Sequence, residues 1–379
     1  MNLKFSNGSR IGAVGAALAT AVAVAVPASA SAASASAGLA HADQAVAQYS
    51  KTVTKYNLPA SSIKGVSALK GKKVMFIPLV DQIPAFQLVR AGFTAALKHA
   101  GISVTDCSGQ ANPSGVQSCI NQAESGGYAG IVTAAIPYEM ASNAFASAEA
   151  HHIPVLVTDQ LTESKYQKAD QLVYQPGNDA EPTLMADWVI ADSKGKANAI
   201  FTVETDSPSS TAYVTKGAAP EFKKYCPDCK ITYADTPSTG VTPQWVESTV
   251  KKVSGVQYYY SEFEDDLAQT TQGVSLAQAN SLKVSYATAT LAGLTDIKNH
   301  KQVYADIGDD VAYEGWADAD NLLRMIVKQP TVTEHIPERL FTRQNIGSIK
   351  LTNAAQASGV WYGNPTLFQK GFEKLWGVK

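Results

Sequence analysis

Apolar runs that lead into amphipathic helix patterns recur along this chain, and they constrain its fold more than any other feature. The first run, residues 74–80, passes through a short polar turn into a stretch whose apolar residues fall at helical spacing from Phe86 to Ala100. A buried strand, a turn and a helix form the first unit of an open α/β sheet. A second series of such units follows residue 179. The sequence therefore predicts the α/β class, with two parallel sheets covered by helices.

The N-terminus has the composition of an export signal. Two basic residues precede an uncharged apolar segment, 11–26, which leads to small-x-small sites ending at Ala30 and Ala32. This pattern predicts a cleaved signal peptide over residues 1–32, because the apolar run is short for a membrane-spanning helix of about 20 residues. No cysteine lies near the cleavage site for lipid attachment. We therefore expect a secreted protein of the periplasm or cell envelope.

The length of the chain indicates the number of its domains, and its charge balance excludes one class of partner. The 379 residues suit two domains, preceded by an N-terminal helix and linker over residues 33–70. The chain has 31 Lys and Arg against 33 Asp and Glu, without basic runs. This balance argues against nucleic acid as a partner, because nucleic acid requires concentrated positive charge.

The four cysteines are Cys107, Cys119, Cys226 and Cys229. An even number in an exported chain indicates two disulfides. Cys107 ends a predicted strand and Cys119 lies in the next predicted helix, which suits a local bridge. Cys226 and Cys229 enclose a tight loop. Their Cys-x-x-Cys spacing also occurs in redox and zinc sites, but here it follows a helix instead of starting one, so structural bridges are favoured.

Motifs of catalysis are absent from the sequence. It contains no Gly-x-Gly-x-x-Gly, no Gly-x-Ser-x-Gly, no Walker loop and no His-Glu-x-x-His, and its six histidines are scattered. We expect a binding protein instead of an enzyme, with no cofactor and no metal. A hydrolase on a similar two-lobed scaffold is the less favoured alternative.

Four segments carry a resemblance to a known family. Residues 81–86, Asp-Gln-Ile-Pro-Ala-Phe, resemble a turn and helix start; residues 130–138 resemble a third strand and the turn after it. Residues 152–160 resemble a fourth strand with an Asp-Arg end, here Asp-Gln, and residues 178–179 resemble an entry to a second lobe. In this order they are similar to the type I periplasmic binding proteins, the ribose-binding-like solute receptors of ABC transporters. The resemblance covers residue 71 to the end.

This resemblance implies two doubly wound parallel-sheet lobes joined by a hinge, and a mode of action. Lobe one would comprise residues 71–174 and 307–333, and lobe two residues 175–306 and 334–379. A small molecule would bind between the lobes, which would close over it as a monomer and dock on the permease subunits of an ABC importer. The alternative is an extracellular sensor that presents its ligand to a receptor kinase.

The resemblance also implies which residues contact the ligand. Phe86 takes the place of a ring that stacks on the ligand, the alternative being that it begins the core face of its helix. Asp159 ends a buried strand, where an unpaired carboxylate is costly, so it meets either ligand donors or a local turn. The full set of predicted ligand-binding residues is Gln82, Phe86, Tyr138, Asp159, Gln160, Tyr213, Phe263 and Asp306.

Departures from the family pattern suggest the ligand. Sugar receptors of this group carry Asn, Arg, Arg, Asn and Asp where this chain has Ile83, Gln160, Tyr213, Phe263 and Ala287. Each sugar hydroxyl left unpaired costs about 1–3 kcal/mol, so this exchange of charged groups for rings predicts a ligand less hydroxylated than a free pentose or hexose. The expected ligand is sugar-like or a flat aromatic or alicyclic metabolite.

The acids at 262 and 264–266 are interpreted as a helix N-terminus instead of a metal cluster.

Overall fold

The computed structural model of the protein describes residues 28–168, 170–177, 180–236 and 240–378. It contains two sheets. The first consists of β1 (Lys73–Pro78), β2 (Ser103–Asp106), β3 (Ile131–Ala134), β4 (Val155–Thr158) and β5 (Leu172–Gln175), all parallel, in the order β2-β1-β3-β4-β5. The second consists of β6 (Asn198–Glu204), β7 (Lys230–Thr236), β8 (Tyr258–Phe263), β9 (Lys283–Ala287), β10 (Val303–Asp309) and β11 (Glu338–Thr342). Its order is β11-β10-β9-β8-β6-β7, parallel except for the antiparallel edge strand β11. The predicted fold class is confirmed.

The helices of lobe one cover both faces of the first sheet. They are α2 (Pro84–His99), α3 (Pro113–Gly126), α4 (Ser142–Ala150), α11 (Val311–Ile326) and α13 (Pro365–Trp376). Helix α11 packs along α2, and its buried Trp316 stacks on Trp376 of α13 with ring centroids 5.5 Å apart. Strands β1, β3, β4 and β5 are almost wholly buried, as parallel strands with helices on both faces should be, whereas the edge strand β2 is partly exposed.

The helices of lobe two enclose the second sheet. They are α5 (Glu181–Asp192), α6 (Pro208–Ala212), α7 (Ala219–Tyr225), α8 (Pro243–Lys252), α9 (Leu267–Leu276), α10 (Leu291–Lys298) and α12 (Asn353–Ser358). One turn of π-helix, Tyr213–Ala218, joins α6 to α7. Such widened turns occur frequently at functional sites, because they displace side chains from regular helical positions.

The chain crosses between the lobes after Gln175, after Asp309 and after Ile326. Two details differ from the predicted boundaries. Strand β10 continues to Asp309 within the second sheet, three residues past the predicted crossing. Helix α13, in the tail assigned to lobe two, packs its buried aromatic face into the core of lobe one. Its apolar residues meet the aromatic face of α11, a contact that hydropathy alone does not specify.

The N-terminal segment forms a long helix, α1 (Ala28–Tyr49), which packs on α5 and α7 of lobe two. The expected helix of the 33–70 segment is therefore present, and it begins earlier than predicted because alanine favours helix. Residues 1–27 of the predicted signal peptide, 1–32, lie outside the described residues, and residues 28–32 belong to the start of α1. Within the described part of the chain, no helix is both long enough and apolar enough to cross a bilayer.

Both predicted disulfides are confirmed, Cys107–Cys119 and Cys226–Cys229. The first ties the end of β2 to helix α3, and the second closes the loop between α7 and β7. Each bridge therefore joins neighbouring elements within one lobe and leaves the hinge free.

Replacing Cys107 and Cys119 together with alanine is expected to destabilise the protein by about 3 kcal/mol, because the bridge closes the longer loop of the unfolded chain. The cysteines are 12 residues apart, against 3 for Cys226 and Cys229. The matched Cys226→Ala, Cys229→Ala variant should lose about 2 kcal/mol. Urea unfolding measures both, and a larger loss from the short-loop pair would contradict the loop-entropy argument.

Candidate functional site

The carboxyl ends of the two sheets meet between the lobes, which is where ligands bind in open α/β folds. The backbone N–H of Leu161 in lobe one donates to the hydroxyl of Ser209 in lobe two at 3.1 Å. That hydroxyl donates to Oε1 of Gln160 at 3.4 Å. The lobes are therefore in contact, and the groove between them is closed at this point.

Asp159 follows β4 and has a left-handed backbone, with φ +56°. This conformation is costly for a residue with a side chain, and such outliers cluster at ligand sites. The carboxylate accepts a hydrogen bond from the Thr158 hydroxyl at 3.2 Å. Gly177 lies directly against it, since a Cβ there would be 3.0 Å from Asp159 Oδ1. Burial raises the pKa of Asp159, while a hydrogen bond shared with Glu314 acts in the opposite direction.

Three further acids lie beside Asp159 at the hinge. Glu314 and Asp318 are one turn apart on α11 and almost fully buried, and Asp309 ends β10. Burial, followed by the charge of Asp159, raises the pKa of Glu314 and of Asp318 well above the ordinary range. The same two causes raise the pKa of Asp309 to about 7. Both oxygens of Asp318 are buried and lack a hydrogen-bond partner.

Two glutamates stand at the ends of neighbouring strands in lobe two. Glu204 ends β6, and Glu262 lies near the end of the adjacent β8. Burial, then the charge of Glu262, raises the pKa of Glu204 to about 9. Burial raises the pKa of Glu262 to about 7, against a hydrogen bond with Ser210. Both side chains therefore hold their protons to a higher pH than an ordinary glutamate.

Glu181, at the start of α5, links the hinge acids to those of lobe two. Burial raises its pKa well above the ordinary range, and the charges of Asp309, Glu338 and Glu262 raise it further. One of its carboxylate oxygens is buried. The carboxylates of Asp159, Glu181, Glu204, Glu262, Asp309 and Glu314 are called the cleft carboxylates below.

Asp306 is fully buried within β10 and accepts a hydrogen bond from the Ala289 N–H at 3.1 Å. Burial raises its pKa, as does the neighbouring charge of Glu264. Glu264 accepts hydrogen bonds at 2.6 Å from the N–H groups of Thr290 and Gly293, so it caps the start of α10. The acids at 264–266 thus form a turn before α9 that serves helix ends, in agreement with the helix-terminus interpretation.

The predicted residues of lobe one separate into two groups. Asp159 and Gln160 lie where the lobes touch, whereas Gln82 is exposed in the loop before α2. Phe86 is half-buried and packs against the core of lobe one. Tyr138 is stacked between Tyr166, at 3.8 Å between ring centroids, and Phe145, at 5.2 Å, so both of its faces already contact protein rings.

The predicted aromatic residues of lobe two are both half-buried. Tyr213 is the first residue of the π-helical turn, and Phe263 ends β8 at a register shift opposite Ala287. An irregular backbone at both positions turns the side chains away from the regular pattern of a helix or strand.

The predicted exchange of charged groups for rings did not anticipate the acids between the lobes. The five positions compared with sugar receptors do carry neutral side chains. The acidic groups are the cleft carboxylates, of which only Asp159 was among the predicted residues. A signal was available for two of the others, since Glu204 and Glu262 lie at or next to the ends of their strands. Glu314 and Asp318 are spaced i, i+4 on α11, which places both on one face of that helix.

Two pockets border the junction of the lobes. One, of about 440 Å³, lies between the starts of α2 and α10 and is lined by Pro84, Thr290 and Leu291 among others. The other, of about 740 Å³, lies at the hinge and is lined by residues 48–57 and 333–338 together with Pro176, Gly177 and Ala180. Neither of these pockets is lined by Asp159 or Glu262, because the lobes are pressed together there.

Comparisons with known proteins agree with this geometry. Residues 74–311 match the family model described as periplasmic binding protein domain. The search of curated proteins found no significant match.

Solved structures resemble the fold at low sequence identity. The 5-methylthioribose transporter solute binding protein from Thermotoga lettingae, in complex with 5-methylthioribose, aligns with a TM-score of 0.66 and 14% identity, over 80% of this chain and 97% of that one. A sugar ABC transporter from Yersinia enterocolitica aligns with 0.66 and 16%, over 84% and 98%. A periplasmic ribose ABC transporter from Conexibacter woesei aligns with 0.61 and 16%, over 79% and 99%. At these identities the likeness shows the fold.

Proposed function

Because the chain belongs to the periplasmic binding protein family, we propose that it is an extracytoplasmic receptor that captures a small polar solute between its lobes and delivers it to an ABC importer. The solute is released unchanged, so the protein is a carrier and not an enzyme. The solutes named for the structural relatives are sugars or sugar derivatives, which supports a ligand of sugar size.

The observation that carries this proposal is the contact between the lobes at the strand ends. Ser209 in lobe two holds both Gln160 and the backbone of Leu161 in lobe one, beside the strained Asp159. This arrangement supports a closed form that a ligand would stabilise, since a solute bound between the lobes adds contacts to both.

Binding is proposed to work by hinge closure. In the open form, the polar groups at the strand ends are hydrated, and the solute exchanges that water for hydrogen bonds to Asp159 and Gln160 of lobe one and to Ser209 and Glu262 of lobe two. Closure buries the hydrogen bonds between the solute and the two lobes. It also fixes the orientation of the two lobes relative to each other. A permease that recognises both lobes at once would then distinguish the loaded receptor from the empty one, which couples recognition to transport.

A thermal-shift screen of sugars, amino sugars, cyclitols and aromatic acids tests the proposal. A ligand at 100 times its Kd should stabilise the protein by about 2.7 kcal/mol, which is a rise in Tm of roughly 5–10 °C. Asp159→Asn should weaken binding at least about tenfold, because an amide loses the charge and one acceptor. Asp43→Asn, an exposed change on α1, should leave it unaltered.

Small-angle scattering on the same samples measures closure directly, as a smaller radius of gyration with ligand. Conversion of a bound solute to product would contradict the carrier function, as would a compact shape that no solute alters.

A further inference from the structure

The cleft carboxylates form a continuous series of acidic groups between the lobes. Each acts electrostatically on the next, from Glu204 to Glu262, then Glu181, Asp309 and Asp159, and finally Glu314. Within the described parts of the chain, all the ion pairs lie elsewhere, and no Lys or Arg pairs with any of the six. When these acids ionise, the described residues therefore offer them no basic counter-ion.

Unpartnered buried oxygens give a second, independent observation. Asp318 is fully buried against this series, and neither of its oxygens has a hydrogen-bond partner. Glu262 is 4% exposed, and its Oε2 also lacks one. Buried carboxylate oxygens without donors cost free energy unless a donor or a positive charge reaches them. A cationic ligand with N–H donors would satisfy such oxygens.

A bound metal ion does not account for these unpartnered carboxylate oxygens. Among the described residues, the one group of three side chains whose donor atoms converge within 4.8 Å is His41, Asp187 and Glu221, on the outer helices of lobe two. A hard cation requires its carboxylate oxygens at about 2.0–2.6 Å from one centre, and the cleft carboxylates do not converge in this way. They are spread from β6 across the hinge to α11, which suits an extended molecule.

We propose that the solute is an organic cation of sugar size, such as an amino sugar or an aminocyclitol, whose ammonium group lies between Glu204 and Glu262 when the lobes close. This inference rests on the proposed function and names its class of ligand. The two glutamates lie at or next to the carboxyl ends of adjacent strands, close enough for the charge of Glu262 to act on Glu204, and the Ser210 hydroxyl already binds Glu262. From the opposite lobe, Asp159 accepts hydrogen bonds from hydroxyls of the same ligand. Gln160 can both donate to these hydroxyls and accept from them.

Matched pairs of neutral and amino compounds test this inference. The protein is incubated at pH 7.5 with a pool that contains glucose and glucosamine, galactose and galactosamine, and inositol and an inosamine. Native mass spectrometry then identifies what is retained, and calorimetry measures the affinity for each member of the retained pair. We expect the amino member to bind at least about tenfold more tightly, with the advantage lost in Glu262→Gln and kept in Glu247→Gln. Glu247 is a surface carboxylate paired with Lys251 on α8, so it provides a matched control.

The outcomes separate this inference from the proposed function. A neutral sugar that binds as tightly as its amine overturns the requirement for a cation and leaves solute capture intact. Stabilisation by Mg²⁺ or Ca²⁺ alone, with no amine retained, also overturns it. Retention of no compound from any pair overturns the inference of a cationic ligand, whereas the proposed function is then decided by the wider thermal-shift screen. If Glu262→Gln fails to fold, Glu204→Gln provides the second variant, and the neutral-to-amine affinity ratio of the unmodified protein still decides the question.

Discussion

Replacing Arg324 with methionine is expected to destabilise the protein by about 3–5 kcal/mol, because it leaves a buried carboxylate without its counter-ion. Arg324 is almost fully buried in α11, and its Nε–H donates to Asp320 Oδ2 at 2.6 Å. Its two other nitrogens donate to the carbonyl and hydroxyl oxygens of Ser61, at 2.7 and 3.0 Å. Urea unfolding should show a clearly lower midpoint with an unchanged slope.

The double variant Asp320→Leu, Arg324→Met separates loss of charge pairing from loss of packing. With both charges gone, part of the stability should return, since an apolar pair often replaces a buried ion pair at little cost. Recovery should be incomplete, because Trp376 Nε1–H donates to Asp320 Oδ1 at 2.7 Å and would lose that acceptor. Equal midpoints for the single and double variants would contradict the explanation by an unpaired charge.

The ligand-free protein is expected to lose several kcal/mol of stability, roughly 10 °C in Tm, as the pH rises from 5 to 9. Burial and neighbouring charges raise the pKa of Glu204 to about 9, of Asp310 to about 8 and of Glu334 to about 8 in the folded state. The unfolded chain releases these protons near pH 4, so the folded state binds more protons above that pH. The stabilisation from each raised pKa is complete below the unfolded pKa and is lost as the pH rises through the folded value.

Glu204→Gln provides the control for this pH dependence, because an amide resembles the protonated acid and does not titrate. The variant should be at least as stable as the unmodified protein at pH 9, and its Tm should fall less steeply above pH 7. Differential scanning calorimetry across the pH range measures both. A Tm that stays level or increases up to pH 9 would show that these acids are ionised in the folded protein and stabilised by groups other than their own protons.

Most of the fold could be predicted from local sequence, and two strands could not. Apart from β5, most strands from β1 to β10 are mainly apolar runs bounded by turn residues, which local sequence is enough to place. Strand β5 has only four residues, Leu172–Gln175, and its pairing depends on the exposed edge of β4. Strand β11 carries Glu338 and Arg339, so its pattern is not apolar, and it forms because β10 offers an unpaired edge.

The candidate site was predicted in position more accurately than in chemistry. Strand ends placed Asp159 and Gln160 correctly at the junction of the lobes, since parallel strands present their carboxyl ends together. The same reasoning did not reveal that Tyr138 would be stacked between Tyr166 and Phe145, because those rings come from other elements. Reasoning from strand ends also considered each carboxylate separately. The pKa values of these carboxylates depend on neighbouring groups that folding brings together.

Hydrophobic periodicity and turn chemistry, which are local properties, were enough to predict two parallel, helix-covered sheets and the order of most of their strands and helices along the chain, and the even number of cysteines indicated two disulfides. Only the tertiary structure decided which side chains share the space between the lobes. The packing of α11 under β4 and the meeting of β6, β8 and β10 bring together acids that lie up to 159 positions apart in the chain, from Asp159 to Asp318. Electrostatic interaction depends on distance in space and on burial, and neither quantity is encoded in any short stretch of residues.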